Sequence, residues 1–187
     1  MTATAPRLGF LIDATRCINC RTCEIACKDA NGAALGQRLR RVRTFEGGAY
    51  PHPLVANLSL ACNHCERPRC LEACPARAYR KRADGIVVHH PEACIGCQYC
   101  TWACPYGAPQ YDPDAGRVMK CNLCAERLDA GEPPACVAAC PMRAIEVGPL
   151  AELESRPGVV AAVRNLPDPG VSGPAVRFLV RAEMRTE

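Results

Sequence analysis

The chain has 187 residues and a formal charge of +4, and 16 of its residues are cysteine, about 9% of the chain and far above ordinary usage. With one Trp, three Phe and five Tyr, and an apolar share of about two fifths once cysteine is set aside, a conventional core is thin, so something bound by sulfur is expected to fill the interior. No apolar stretch approaches the roughly 18 residues of a spanning helix, and the positive charge does not argue for nucleic acid: sixteen thiolates on four cubane clusters of roughly −2 each would turn +4 into about −4.

Along the chain, MTATAPRLGFLIDATRC lacks the apolar core of a secretory signal, and the Arg40-Arg41 pair has no apolar stretch behind it, so no leader is expected. Residues 8–12 read as a strand entering a first cysteine quartet, Cys17, Cys20, Cys23 and Cys27. Residues 31–60 read as an irregular connecting insertion that packs on a partner. The second quartet is Cys62, Cys65, Cys70 and Cys74. After it, residues 79–82 and 86–89 look like two short strands joined at Asp84-Gly85, a favoured hairpin turn. Cys94, Cys97, Cys100 and Cys104 form the third quartet, and Cys121, Cys124, Cys136 and Cys140 the fourth. RAIEVGP, residues 143–149, reads as another strand. Beyond it, Pro157, Pro167, Pro169 and Pro174 rule out long helices, and residues 150–187 read as an extended tail over a partner or over the body of the protein.

No cysteine is left over. The first and third quartets have the spacing C-x2-C-x2-C-x3-C, the second C-x2-C-x4-C-x3-C and the fourth C-x2-C-x11-C-x3-C, and a proline (Pro75, Pro105, Pro141) follows every quartet but the first. Three closely spaced thiolates on a looping backbone can hold three corners of a cubane, and the fourth corner must come from elsewhere. In two-cluster ferredoxins it is the last Cys, the one before Pro, that ligates the other cluster. Two bland readings compete. A disulfide scaffold would need strained bridges between x2 neighbours, and zinc sites usually show two separated C-x2-C knuckles rather than four cysteines within 11 residues.

Residues 61–114 then form one complete unit of cluster loop, hairpin and cluster loop. The first and fourth quartets look like the halves of a second unit, residues 8–30 with 115–149, split between opposite ends of the sequence and closed by pairing of residues 8–12 with 144–147. The fold expected is a small, irregular α+β one of two ferredoxin-like modules of the paired bacterial 2[4Fe-4S] type, one split between the chain ends. Cluster one takes Cys17, Cys20, Cys23 and Cys140; cluster two Cys121, Cys124, Cys136 and Cys27; cluster three Cys62, Cys65, Cys70 and Cys104; cluster four Cys94, Cys97, Cys100 and Cys74. A domain of this length has a radius of gyration of roughly 16 Å, which sets the clusters on the order of 10 Å apart and makes the domain a wire.

The segments GFLIDATRCINCRTCEIACKD, CNHCERPRC, CIGCQYCTWACPYGAPQYDP and KCNLCAER closely resemble the iron-sulfur subunit of dimethyl sulfoxide reductase and its relatives among the complex iron-sulfur molybdoenzymes. The resemblance covers roughly residues 8–150. It implies four [4Fe-4S] clusters with crosswise ligation and two partners, a molybdopterin catalytic subunit and a quinone-reactive membrane anchor. It further implies a place at the periphery of a prokaryotic cytoplasmic membrane. Some members of the family carry Trp in place of a third-quartet cysteine and hold a three-iron cluster; Cys97 here points to four cubanes.

Electron relay without bond chemistry is therefore the leading function. A soluble polyferredoxin is the alternative, and a zinc-stapled interaction module is the non-redox one. Among single residues, Lys28 reads equally as a solvated cation and as one that raises a cluster potential. His64 reads as a surface residue, with donation to a cluster sulfur as the sharper use. Trp102 reads as core beside the third quartet, and RLRRVR (38–43) as a solvated basic face with a lipid or subunit contact as its alternative.

Overall fold

A computed structural model describes residues 5–186. Strand β1 (Leu8–Asp13) leads through the first quartet into helix α1 (Thr22–Ala30). A hairpin of β2 (Arg41–Ala49) and β3 (His52–Leu60) precedes the second quartet, which carries the short helix α2 (Arg69–Glu72). Next come β4 (Tyr79–Lys81) and β5 (Val87–His89), helix α3 (Tyr99–Ala103) in the third quartet, and a second small hairpin of β6 (Gln110–Asp112) and β7 (Arg117–Met119). Helices α4 (Ala125–Asp129) and α5 (Ala135–Ala138) belong to the fourth quartet, and β8 (Ile145–Pro149), α6 (Leu150–Glu154), β9 (Val159–Val160) and β10 (Val176–Leu179) complete the chain.

The main sheet has the order β8-β1-β10-β9. Its central strand buries Phe10, Leu11 and Ile12 together, so both faces of β1 are covered and its sequence is a continuous apolar run. On one side β8 runs antiparallel, with Leu8 opposite Pro149 and Ile12 opposite Ile145. The two ends of the cysteine-bearing sequence therefore meet, as the strand patterns of 8–12 and 143–149 lead one to expect. Between the second and third quartets, β4 and β5 pair with Tyr79 opposite His89. Their turn spans three residues rather than two: Gly85 N–H donates to Arg82 O, Arg82 N–H donates to Ile86 O, and Gly85 takes φ +83°. That is a turn followed by a left-handed glycine bulge, which keeps the right-handed twist of so short a ribbon.

Two expectations need correction. Residues 31–40 are irregular but 41–60 are not: β2 and β3 pair over nine residues each, from Arg41 opposite Leu60 to Ala49 opposite His52. Ala56 and Leu58 are buried on alternate positions of β3, while the Gly and Pro residues that disguise the hairpin sit near its tip. The glycine there is required, since Gly48 has φ +75° and a Cβ would fall 2.3 Å from His52 O. Residues 150–187 do pack over the body of the protein, but as part of its main sheet. Their strand β10 lies parallel to β1, Phe10 opposite Val176, and Val176, Phe178, Val180 and Met184 are buried. The prolines stop helices, but the period-two run Val176, Phe178, Val180 still supplies an apolar strand face that covers the open side of β1.

The segments around the second and fourth quartets repeat one another in detail. In Cys74-Pro-Ala-Arg-Ala and Cys140-Pro-Met-Arg-Ala the arginines Arg77 and Arg143 both have φ +50°, and the amides of Ala78 and Ala144 both lie 3.3 Å from the cysteine Sγ four residues back. Ala78 O accepts from His90 N–H at 2.8 Å, and Ala144 O accepts from Asp13 N–H at 2.9 Å. Helices α1 and α3 each start behind a left-handed residue placed directly after the second cysteine of the quartet, Arg21 (φ +60°) and Gln98 (φ +63°). At four to nine residues these helices are too short to persist without the packing around their cysteines.

Candidate metal centres

Each crossing of the backbone places cysteines of different quartets together. One pocket is lined by Cys17, Cys20, Cys23 and Cys140. A second is lined by Cys62, Cys65, Cys70 and Cys104, and a third by Cys74, Cys94, Cys97 and Cys100. The remaining four, Cys27, Cys121, Cys124 and Cys136, act on one another electrostatically, Cys27 on α1 with Cys136 and Cys124, and Cys121 with Cys27 and Cys136. A groove of about 310 Å³, lined among others by Leu39, Arg41, Arg43 and Phe178, contains one cysteine only, Cys104. Chemistry therefore belongs to the smaller pockets.

The four sets follow one another. Cys23 of the first set lies within electrostatic reach of Cys136 of the second, and Cys121 of the second within reach of Cys62 of the third. Tyr79 is within electrostatic reach of Cys70 of the third set and of Cys100 and Cys74 of the fourth, which links the two.

All sixteen cysteines are free thiols, so no disulfide framework is present. Burial raises most of them: it pushes Cys27 and Cys70 up to about 12 and Cys65 up to about 11, with like charges on neighbouring cysteines adding to the rise. Cys121 is raised by the same cause. Exposed Cys20 goes the other way, because Thr22 hydrogen-bonds its sulfur. Buried thiols of this kind stay protonated near neutral pH unless a metal supplies the positive charge that ionises them.

A mononuclear metal does not suit them. Zinc with Zn–S bonds of about 2.3 Å needs sulfurs about 3.8 Å apart, and among the described residues no three His, Cys, Asp or Glu side chains are placed to share one ion. Thiolates that each cap a separate iron of a cubane stand farther apart. The buried polar atoms fit such a group as well. Among the described residues, seven buried side-chain polar atoms lack a hydrogen-bond partner, and five of them lie beside the cysteine sets: Arg40 Nε and Nη2, Tyr79 Oη, His89 Nε2 and Tyr106 Oη. Tyr79 and His89 line the pocket of Cys74, Cys94, Cys97 and Cys100, and Tyr106 lines that of Cys62, Cys65, Cys70 and Cys104. Cluster sulfides are the acceptors these donors lack.

Single residues depart from their sequence readings. His64 is buried, not on the surface: Val87 N–H donates to its Nδ1 at 3.1 Å, which leaves the proton on Nε2, 3.9 Å from Cys121 Sγ. Burial, then the charges of Lys120 and Arg40, hold it well below the ordinary histidine value, so the ring is neutral. Trp102 is 79% exposed and no part of the core; its ring faces Tyr99 with centroids 6.0 Å apart. In RLRRVR, Arg38 and Arg43 are exposed but Arg40 is buried. Lys28 is half-buried and donates to Ala34 O. Ser59 and Ser172, 3.3 Å from Cys23 Sγ and 3.2 Å from Cys65 Sγ, went unnoticed in sequence because both lie in segments without a cysteine. No local pattern signals Ser59, since the period-two run Leu54, Ala56 and Leu58 of β3 places it on the opposite face.

Sixteen thiols in four sets, ringed by unpartnered donors, describe an iron-sulfur protein. Residues 55–150 match the 4Fe-4S dicluster domain family. The chain is 42% identical over 95% of its length, and 90% of the relative's, to the probable anaerobic dimethyl sulfoxide reductase chain YnfG of Escherichia coli (strain K12). It shares the same identity and the same coverage with a second anaerobic dimethyl sulfoxide reductase chain of that organism. The formate dehydrogenase iron-sulfur subunit of Wolinella succinogenes is 37% identical over 76% of this chain and 81% of its own length. The chain thus belongs to the 4Fe-4S dicluster family, among the iron-sulfur subunits of the dimethyl sulfoxide reductase kind.

Proposed function

We propose that this chain is the electron-transfer subunit of a membrane-associated molybdoenzyme of the dimethyl sulfoxide reductase kind. It relays electrons through four [4Fe-4S] clusters between a quinone-reactive membrane anchor and a molybdopterin catalytic subunit, and does no bond chemistry itself. Cluster one is held by Cys17, Cys20, Cys23 and Cys140, cluster two by Cys121, Cys124, Cys136 and Cys27, cluster three by Cys62, Cys65, Cys70 and Cys104, and cluster four by Cys94, Cys97, Cys100 and Cys74. The observation that carries this reading is the lining of single pockets by four cysteines, three from one quartet and one from another. Residues 61–114 act as one ferredoxin-like module and residues 8–30 with 115–149 as its split counterpart; the matching hydrogen bonds of Ala78 and Ala144 support that division.

The succession of sets gives the wire two ends, and each has an apolar fringe. Ile18, Ile25 and Met142 are exposed around the first set, and Ile95, Tyr99 and Trp102 around the fourth. Exposed apolar groups at both terminal clusters suit two separate protein partners, which favours the relay subunit over a freely diffusing polyferredoxin. Among the described residues no helix is long and apolar enough to cross a membrane.

Anaerobically purified protein is expected to hold about 16 iron and 16 sulfide, four of each per cubane, and to co-purify with a larger subunit when expressed with its neighbours. Stoichiometric zinc, or half the iron after anaerobic reconstitution, would overturn the cofactor reading. Ligand sets are tested by Cys27→Ser and Cys23→Ser followed by paramagnetic resonance. The first variant should disturb the signal that Cys124→Ser also disturbs, and the second the signal that Cys140→Ser disturbs. Loss of one and the same signal from both would mean that each quartet closes on its own cluster.

A further inference from the structure

RLRRVR contributes one side chain that a solvated basic face does not explain. Arg40 is 1% exposed, and its guanidinium lies over the Phe10 ring with Cζ 4.5 Å from the centroid. Its Nη1 donates to Ser59 O at 3.0 Å and to Ser59 Oγ at 3.1 Å. Ser59, itself buried, sets its Oγ 3.3 Å from Cys23 Sγ. A thiolate ligand carries no proton, so the hydroxyl donates to Cys23 while its oxygen accepts from Arg40. The opposite edge of the guanidinium, Nε and Nη2, is equally buried and has no hydrogen-bond partner.

A buried, unpaired cation is a costly arrangement, and among the described residues no carboxylate pairs with Arg40. What acts on it instead is sulfur. Desolvation pulls its pKa down, yet Cys136, Cys121, Cys23 and Cys27 together hold it above the ordinary arginine value. Cys23 belongs to the first cysteine set and the other three to the second, so the side chain is within electrostatic reach of both.

We propose that Arg40 is a counter-cation shared by the first and second clusters, reaching the first through Ser59 and the second through the free edge formed by Nε–H and Nη2–H. The inference rests on the cluster reading above and extends it to the control of potential. Reduction adds an electron, hence a negative charge, to a cluster in a low-dielectric interior, and a fixed cation with donors aimed at its sulfurs stabilises the reduced state. Arginine suits the position because its planar fork presents donors along two edges; a lysine ammonium is a compact point charge that serves one site at a time. Arg40 is in this sense a positioning residue for electron transfer, one that keeps two adjacent potentials high enough for electrons to pass.

The test is a redox titration monitored by paramagnetic resonance on the full-length chain, prepared anaerobically and checked for iron and sulfide. A wild-type chain that takes up no clusters would remove the cluster reading and this inference with it. With loaded protein, Arg40→Met should lower the reduction equilibrium constants of the first and second clusters at least tenfold, about 59 mV for a one-electron couple, and leave the third and fourth within about threefold. Ser59→Ala should lower the first alone. Cys140→Ser and Cys124→Ser identify which signal belongs to which cluster. Should Arg40→Met fail to hold iron, Arg40→Lys decides: loaded protein with a lowered potential in either cluster supports the shared cation, and loaded protein with both potentials unchanged overturns it. If neither variant loads, Ser59→Ala decides alone, since an unchanged first potential rules out the bridge.

Discussion

In the division proposed above, the inner half, residues 61–114, and the outer half, assembled from the two ends of the cysteine-bearing sequence, use the same local geometry with different means of support. Cys94, Cys97, Cys100 and Cys104 stand 77 positions after Cys17, Cys20, Cys23 and Cys27, and the same offset relates β5 to β1. At one equivalent position the halves diverge: Ile86 is completely buried where the outer half has Gly9. Glycine is needed there because β10 runs alongside; a Cβ on Gly9 would lie 2.6 Å from Ala175 O and 2.8 Å from Leu150 Cδ1. The inner half closes its strand pair with a three-residue turn, whereas the outer half joins strands more than 130 residues apart. Loop closure over that separation costs about 3 kcal/mol more than over a short turn. Burying Phe10, Leu11 and Ile12 on the two faces of the sheet that β8 and β10 extend, at about 1.5–3 kcal/mol per side chain, offsets it. A module cut open in sequence needs a larger apolar core than one that is continuous.

Removal of iron should expose that difference most strongly. Tyr79 and Val87 of the inner hairpin sit in a small apolar cluster with Cys70, Cys100 and Val118, of which two are cysteines, and the hairpin reaches the large cluster through Ile86 and Val88, while β1 sits in the large one with Phe178, Val176 and Met184. Chelation under anaerobic conditions is expected to abolish the cooperative melt of the chain, and hydrogen exchange should show the amides of residues 79–89 losing protection well before those of 9–13. Equal loss in both regions would mean that β8 and β10 do not support the outer half independently of the clusters.

Alanine placed at the two equivalent positions sharpens the comparison, because it should destabilise both for opposite reasons. Ile86→Ala leaves a cavity in a site that is fully enclosed, and a loss of about 2–5 kcal/mol is expected from denaturant unfolding of loaded protein. Gly9→Ala forces a methyl against backbone and should cost about 1–3 kcal/mol. A neutral Gly9→Ala would show that the close approach of β10 to β1 is absent in solution.

How much of this was legible in the sequence depended on whether a segment carried cysteine. The quartets, the inner hairpin and the meeting of residues 8–12 with the strand after Cys140 could be read because spacing and the proline after the last cysteine restrict the backbone sharply. The β2–β3 hairpin was hidden by Gly47, Gly48, Pro51 and Pro53, which lie near its tip, although Ala56 and Leu58 alternate with Asn57 and Ser59 as a half-buried strand should. Strand β10 was hidden by four prolines, and its parallel pairing with β1 is a long-range choice that no local pattern encodes. The same limit applies to Arg40 and Ser172: an arginine among arginines and a serine in a Pro-Gly segment acquire their roles only when folding carries them to Cys23 and Cys65.

The smallest effect on stability is expected at the rims of the wire. Trp102 and Ile25 occupy equivalent positions in the third and first quartets, 79% and 66% exposed, on helices α3 and α1. Side chains this exposed contribute little to the isolated chain, so Trp102→Ala and Ile25→Ala should each change unfolding free energy by no more than about 0.5 kcal/mol and leave iron content at the wild-type value. Their consequence should appear only in the assembled enzyme. Large apolar groups at the centre of an interface are where binding energy concentrates, and truncating one commonly costs about 2 kcal/mol or more. If the first and fourth cysteine sets terminate the wire, the two variants should weaken retention of different partner subunits, which co-purification from a strain expressing the whole complex would measure. Loss of the same subunit from both variants would place the two ends of the wire on one face and contradict a relay between two partners.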